Sequence, residues 1–108
     1  MTAELEHETS FDVEADHPSL PGHFPGEPIV PGVVVLDRAL EAAEAWLGSA
    51  LLVTDLAHVK FVSPLRPGDR ARLHLRLDAP SLRFEVRNGE TLVAKGAFSV
   101  RIVPDKPA

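Results

Sequence analysis

Two side chains suited to proton transfer lie close together in the sequence, one in a segment rich in proline and glycine and the other in a segment rich in alanine and leucine. His23 lies in a stretch between Asp16 and Gly32 that contains five prolines and three glycines, and Asp37 follows His23 by fourteen residues. Free imidazole titrates near about pH 6.5, so a histidine here can accept a proton at neutral pH. A carboxyl that is withdrawn from water keeps its proton and can act as an acid. The chain has no cysteine, which excludes thiol nucleophiles and thiolate metal sites and leaves histidine, carboxylate and hydroxyl groups for catalysis.

The elements around these two residues differ in stiffness and polarity. Proline fixes φ, so the stretch around His23 is predicted to be a stiff loop, which can hold a catalytic side chain in place. The residues that follow, Gly32–Leu47, are rich in alanine, leucine and glutamate and stop before a glycine, which predicts a helix. Its acids Asp37, Glu41 and Glu44 form one stripe on an otherwise apolar surface. We therefore expect the helix to be mostly buried and Asp37 to be withdrawn from water.

The rest of the chain has the patterns of β-strands. The predicted strands cover residues 9–15, 51–62, 70–78, 82–87 and 91–103. Asn88-Gly89 predicts a type I′ hairpin turn, and Gly96 indicates a bulge. Short connections make the last four strands pair mainly antiparallel. One strand, one apolar helix and four further strands predict an α+β fold in which a curved antiparallel sheet wraps around one central helix, the hotdog architecture.

Composition limits the class of protein. The chain has 108 residues, 44% of them hydrophobic, which predicts a single domain over residues 1–108. No apolar run reaches the ~20 residues of a membrane-spanning helix, and the N-terminus lacks the basic, then apolar, pattern of a signal peptide, so we expect a cytoplasmic protein without a membrane span. No pair among His17, His58 and His74 has a metal-ligand spacing, so we expect no metal site and a structural role for these histidines.

Charge is divided unevenly along the chain. Residues 1–57 hold eleven acids and one base, whereas residues 58–108 hold five acids and ten bases, and the net charge is -5. The overall acidity argues against nucleic acid as a partner, and the basic half offers a surface to a small acidic protein. The arginines concerned, most of them on predicted strand faces turned to solvent, are Arg66, Arg70, Arg72, Arg76, Arg83 and Arg87.

The most specific motif of the chain lies at residues 17–43, in the segment HPSLPGHFPGEPIVPGVVVLDRALEAA. It resembles the β-hydroxyacyl-acyl-carrier-protein dehydratases of the hotdog superfamily, the FabA/FabZ-like enzymes, whose hallmark is G-H-F-P-G-x-P-x-x-P-G-V followed by a helical Asp or Glu. The match runs from Gly22 to Val33, with Asp37 at the acidic position. Looser similarity continues through HVKFVSPLRPGD at His58–Asp69 and VAKGAFSV at Val93–Val100, so the resemblance covers most of the chain.

The resemblance implies removal of water from a 3-hydroxyacyl thioester on acyl carrier protein to give the trans-2-enoyl thioester. It implies a hydro-lyase of fatty acid or polyene and polyketide synthesis that needs no cofactor and no metal. His23 would be the base, Asp37 the acid, and the backbone amide of Gly32 the group that polarises the carbonyl, with the thioester able to come close because Gly32 has no side chain. The reaction requires these three functions, since a proton, a hydroxyl and a developing enolate oxygen must each be handled. Other motif residues would shape the loop and the substrate tunnel: Phe24, Gly26, Pro31 and Val33.

The family's arrangement also implies partners. The histidine and the acid of one site would come from different subunits of a homodimer, and acyl carrier protein would deliver the chain on a phosphopantetheine arm. Such carrier proteins are acidic, so basic residues near the tunnel mouth would steer them.

Two other functions fit part of these observations. One is a hotdog thioesterase, in which water releases the free acid, although the GHFPGxP loop argues against it. The other is a non-catalytic subunit that binds an acyl chain or acyl carrier protein and needs a catalytic partner, as in a heterodimer. It is motivated by Glu41, where the family usually has glutamine and which can pair with Arg38 or add negative charge beside Asp37. Retention of both His23 and Asp37 argues against that subunit.

Overall fold

The computed structural model of the chain describes residues 5–13 and 29–103. These residues form a five-stranded antiparallel sheet and one helix, which confirms the predicted hotdog fold. The elements are β1 (Leu5–Asp12), α1 (Gly32–Leu47), β2 (Ala50–Phe61), β3 (Arg70–Asp78), β4 (Ser81–Asn88) and β5 (Thr91–Val103). The strand order is β1-β3-β4-β5-β2, so β1 and β2 are the two edges of the sheet.

The core lies between α1 and one face of the sheet. Side chains alternate between the two faces of a strand, and β3 buries Leu73 and Leu75 while its arginines point to the other face. On the helix side, Ala39 and Ala43 have no exposed surface. Alanines one turn apart let the helix backbone approach the sheet closely, because no longer side chain stands between them.

The helix has the predicted bounds but not the predicted burial. It ends at Gly48, which has a left-handed φ of 68° and donates from its backbone N–H to the Glu44 carbonyl oxygen at 2.9 Å. The expectation of a mostly buried helix is wrong, because the sheet covers only one side of it and leaves Val33, Asp37 and Glu41 exposed on the other. Within the described ranges no helix is long and apolar enough to cross a membrane.

The first strand starts earlier than the sequence pattern predicts. It runs from Leu5 to Asp12 and pairs with all of β3, from Leu5 opposite Leu77 to Asp12 opposite Arg70. Its helix-facing positions include His7, whose ring stacks on Trp46 of α1 with centroids 5.2 Å apart. A polar residue at an inward position breaks the apolar alternation, so the pattern could not show this part of the strand.

The hairpin and the bulge are both displaced from their predicted places. Asn88 pairs with Thr91, so the central turn residues are Gly89 and Glu90, and of these only Gly89 has positive φ, at 61°. Positive φ at the first central position alone is the type II′ pattern, so the type I′ prediction is wrong. The residue opposite Gly96 carries the bulge: His58 of β2 has φ of 54° within the register shift between Ala57 and Lys60.

Gly96 faces that bulge at very short range. A Cβ added to Gly96 would stand 2.9 Å from the His58 carbonyl oxygen and 2.9 Å from the Val59 Cα. Only glycine therefore fits at this position, because real side chains do not approach backbone atoms so closely.

Candidate active site

The start of α1 presents backbone donors without acceptors among the described residues. Pro31 is the N-cap and has no capping side chain, and its carbonyl oxygen accepts from Val34 N–H at 3.0 Å and Val35 N–H at 3.4 Å. Within the described part of the chain no acceptor is recorded for the N–H groups of Gly32 and Val33. The helix dipole adds positive potential at this end. These amides can stabilise a negative oxygen that comes within hydrogen-bonding distance.

The space beside Gly32 is filled by the ring of Phe61, the last residue of β2. A Cβ added to Gly32 would stand 2.6 Å from Phe61 Cζ and 3.0 Å from each Cε. The sequence suggested that the missing side chain makes room for a thioester. The room on that side of the Cα is taken by the aromatic ring instead, so glycine is required here by packing within the chain.

A cavity of about 400 Å³ opens between the helix start and the segment after β2. Val62 and Ser63 are held to β5 because both backbone N–H groups donate to the Val93 carbonyl oxygen, at 2.8 and 3.2 Å. Among the described residues, the side chains that line the cavity are apolar except for Ser63; the lining residues are Ile29, Val30, Pro31, Gly32, Val35, Phe61, Val62, Ser63, Pro64, Leu65 and Val93. Such a lining suits an alkyl group, because a buried polar group would find few partners in it.

Asp37 lies on the outward stripe of α1 and is exposed. It is five residues after Gly32, roughly 7.5 Å along the helix axis. No described residue of the single chain covers its carboxyl, so the carboxyl is in contact with water. The expectation that the helix withdraws Asp37 from water is therefore not met within one chain. The neighbouring Glu41 forms an ion pair with Arg38, with Arg38 Nη1 3.6 Å from Glu41 Oε1. This pair was one of the two roles that the sequence allowed for Glu41.

The predicted site residues His23, Phe24 and Gly26 lie outside the described residues, as does His17, for which a structural role was expected. The described residues on either side of residues 14–28 are anchored to the segment between β2 and β3. Val13 accepts from Gly68 N–H through its carbonyl oxygen at 3.0 Å, and Val30 N–H donates to the Leu65 carbonyl oxygen at 2.7 Å. Ile29, Val30 and Leu65 line the cavity.

Phe61 and the other cavity residues after β2 were missed from the sequence as functional residues. The segment HVKFVSPLRPGD was noted only as a continuation of the resemblance. A signal was present, because Phe61 is a large aromatic residue at the end of a strand beside a proline-containing turn. Nothing in the local pattern shows which distant backbone the ring contacts.

The arginine-rich positions lie mainly on the sheet face away from the helix, as predicted. Cross-strand pairing sets Arg72 opposite Arg87 and Arg76 opposite Arg83 on that face. His74 has a structural partner there, since its Nε2 is 2.9 Å from Glu6 Oε1. These side chains are on the wrong side of the sheet to border the cavity.

One exposed basic residue follows the cavity lining directly: Arg66 comes after the lining residue Leu65. The Arg66 backbone is fixed in its turn, since Arg66 N–H donates to Asp69 Oδ2 at 2.9 Å. Lys60 precedes the lining residue Phe61 but pairs with Lys95 on the outer face of the sheet. An acidic partner approaching the cavity would therefore be attracted mainly by Arg66.

Comparison with known proteins agrees with this architecture. Residues 1–97 match the family model of the ApeI-like dehydratases, described as ApeI dehydratase. A 3-hydroxyacyl-[acyl-carrier-protein] dehydratase FabZ from Oleidesulfovibrio alaskensis is 31% identical over 91 residues, covering 76% of this chain and 59% of the relative. The match thus spans about three-fifths of that protein's length.

Comparison with solved structures finds a dehydratase with this fold and a thioesterase that shares the fold alone. The dehydratase heterocomplex ApeI:P from Xenorhabdus doucetiae superposes with a TM-score of 0.79 at 25% identity, covering 88% of this chain and 86% of that chain. A mutant of the fluoroacetyl-CoA-specific thioesterase FlK superposes with a TM-score of 0.72 at 15% identity, covering 95% and 88%, and shares the fold. From the family match, with the helix start and sheet order described above, the chain belongs to the ApeI-like dehydratase family and has the hotdog fold of the FabA/FabZ-like proteins.

Proposed function

We propose that this chain dehydrates 3-hydroxyacyl thioesters carried on acyl carrier protein to trans-2-enoyl thioesters, with the cytoplasm as its expected location. One observation carries the proposal: in a member of this dehydratase family, Gly32, the first residue of α1, lines an apolar cavity of about 400 Å³, and the described residues provide no recorded acceptor for its N–H group. The amide matches the thioester carbonyl and the cavity matches an acyl chain. Fatty acid synthesis and polyene or polyketide synthesis are the pathways that use this reaction.

The reaction divides among three groups. His23 takes the proton from C2, and the electron pair left on C2 shifts toward the thioester carbonyl. The developing oxyanion is stabilised by the Gly32 amide at the start of α1. Asp37 gives its proton to the C3 hydroxyl, which leaves as water as the C2–C3 double bond forms. Return of the proton from His23 to Asp37 restores both groups, so no cofactor or metal is required.

A second copy of the chain would complete the site. Asp37 is exposed in the single chain, whereas an acid that must hold its proton needs to be withdrawn from water. Among the described strands β2 pairs only with β5, and its free edge exposes Leu52 and Leu56. Pairing of β2 with the same strand of a second copy would extend the sheet and cover these leucines. A homodimer is the simplest assembly, and the ApeI:P heterocomplex shows that a related dehydratase is found with a different partner.

The dimer can be tested with a charge placed on one sheet edge at a time. Leu56 on β2 and Leu5 on β1 are exposed to nearly the same extent, 48% and 47%. We expect Leu56→Glu to halve the molar mass in solution, because a carboxylate cannot be buried unpaired in an interface. Leu5→Glu should leave the mass unchanged. Sedimentation velocity gives both values, and dissociation by Leu5→Glu alone would move the interface to β1.

Docking of the carrier protein is expected near Arg66, the exposed basic residue that directly follows the cavity lining. Replacing Arg66 by glutamate should raise the KM for a carrier-bound substrate about 10-fold at low salt, because it reverses a charge that attracts an acidic partner. The KM for the same acyl group on free pantetheine should not change. Arg83→Glu is the matched control on the outer sheet face, and an equal effect of both variants would show that docking does not depend on the cavity side.

The activity itself is tested by acyl mass. Purified protein incubated with a 3-hydroxyacyl carrier protein should convert it to a product lighter by one water. Release of the acyl group would identify a thioesterase, and an unchanged acyl mass across several chain lengths would identify a subunit that binds acyl chains or carrier protein and needs a catalytic partner.

A further inference from the structure

The Phe61 ring lines the cavity directly beside Gly32. A Cβ added to Gly32 would stand 2.6 Å from its Cζ, and the residue is 51% exposed, so no packed core holds the ring in place. Three other lining residues are held in the core: Val35, Leu65 and Val93 have 2%, 1% and 2% of their surface exposed. The width of the cavity next to Gly32 is therefore set by Phe61.

The ring also lies close to the carbon atoms that would react, if the proposed function holds. An oxygen that accepts from an amide lies about 2.9 Å from its nitrogen. A thioester carbonyl bound to Gly32 N–H thus lies within a few bonds' length of the Gly32 Cα, on which the ring rests. Gly32 and Phe61 line the same cavity, so an acyl chain that enters the cavity from this carbonyl has C2, the carbon next to the carbonyl, beside the ring.

We infer that Phe61 determines specificity at C2 and restricts the enzyme to acyl chains that are unbranched there. A methyl group on C2 would need the space that the ring occupies. The restriction is one of fit, because a 2-methyl-3-hydroxyacyl thioester still has one proton on C2 and can lose water by the same steps. This inference rests on the proposed function for the placement of the carbonyl.

The test compares one branched and one unbranched substrate. We would measure kcat/KM for 3-hydroxyoctanoyl and 2-methyl-3-hydroxyoctanoyl pantetheine thioesters with wild type, Phe61→Leu and Phe61→Ala. Wild type should favour the unbranched substrate by at least about 10-fold, the scale of discrimination that one methyl group gives in an apolar pocket. Both variants should reduce that preference by about 10-fold. Phe61→Leu keeps an apolar side chain, so it remains informative if Phe61→Ala fails to fold.

A matched control and a second readout separate this inference from the dehydratase proposal. Ile102→Ala truncates another apolar residue of similar exposure, 46%, that does not line the cavity, and it should keep the wild-type preference. Binding of octanoyl and 2-methyloctanoyl pantetheine, measured by calorimetry, needs no reaction because neither has a 3-hydroxyl. A shifted binding preference in the Phe61 variants without any dehydration would support the role of Phe61 and overturn the proposed function. An unchanged preference in both variants, or a wild type that accepts both substrates equally, would overturn the role of Phe61 alone.

Discussion

His23→Ala is expected to lower kcat for dehydration by about 10²- to 10⁴-fold, the usual contribution of a positioned general base. The C2 proton has no other acceptor among the residues assigned to the reaction, since Asp37 must enter the reaction protonated. Binding of the acyl group should survive, because the described lining of the cavity is formed by residues 29–32, 35, 61–65 and 93, which the substitution leaves unchanged. The measurement is a single-turnover assay that follows the acyl mass, with the KM determined alongside.

The control for this variant separates chemistry from folding. The thermal midpoint and the molar mass of His23→Ala should equal those of wild type, and His74→Ala should keep full activity because His74 pairs with Glu6 on the outer sheet face. A His23→Ala protein that turns over at the wild-type rate would remove His23 from the mechanism. Equal losses in His23→Ala and His74→Ala would point to a general structural effect.

The parts of the fold that could be predicted from the sequence are those in which one local pattern dominates. Helix α1 combines strong helix formers with a terminating glycine, and β3 alternates leucine with arginine, so both were predicted with correct bounds. The start of β1 was missed because His7 faces the helix in a place where the pattern requires an apolar residue. The hairpin was misplaced by one residue because Asn88 and Gly89 also form a common turn sequence in another register.

In the candidate site, too, the features that belong to one local motif could be predicted, and those that depend on contacts between distant residues could not. Gly32 and Asp37 belong to a continuous motif and could be proposed from the sequence. The contact between Gly32 and Phe61 could not, because the two residues are 29 positions apart and meet only when β2 folds against the helix start. Exposure of Asp37 was also missed, since apolar composition does not show how much of a helix one sheet can cover. The side of α1 that the sheet leaves uncovered carries Val33, Asp37 and Glu41, and the proposed second subunit would have to withdraw Asp37 from water there.

Gly32→Ala is expected to cost about 10²-fold in kcat/KM while changing the stability only modestly. The new methyl group would stand 2.6 Å from Phe61 Cζ, so the ring must move. The ring is half-exposed and can do so, at a cost of about 1–3 kcal/mol for overpacking. The displaced ring would shift the wall beside the carbonyl position, and a misplacement of about 1 Å in a reacting group can lower the rate 10²-fold.

The double variant Gly32→Ala/Phe61→Leu tests whether glycine is needed at position 32 for packing against Phe61 or for contact with the thioester. Leucine lacks the three ring atoms that approach Gly32, so the methyl group fits and we expect stability and most of the lost activity to return. A double-mutant cycle on the free energy of unfolding should then give a coupling of about 0.5–3 kcal/mol between the two positions. If glycine were needed because the thioester itself contacts the Cα, the double variant would stay as inactive as Gly32→Ala. Chemical denaturation and kcat/KM on an unbranched substrate distinguish packing against Phe61 from direct contact with the thioester. If the double variant shows no rescue, glycine is needed at position 32 for contact with the substrate and not for packing.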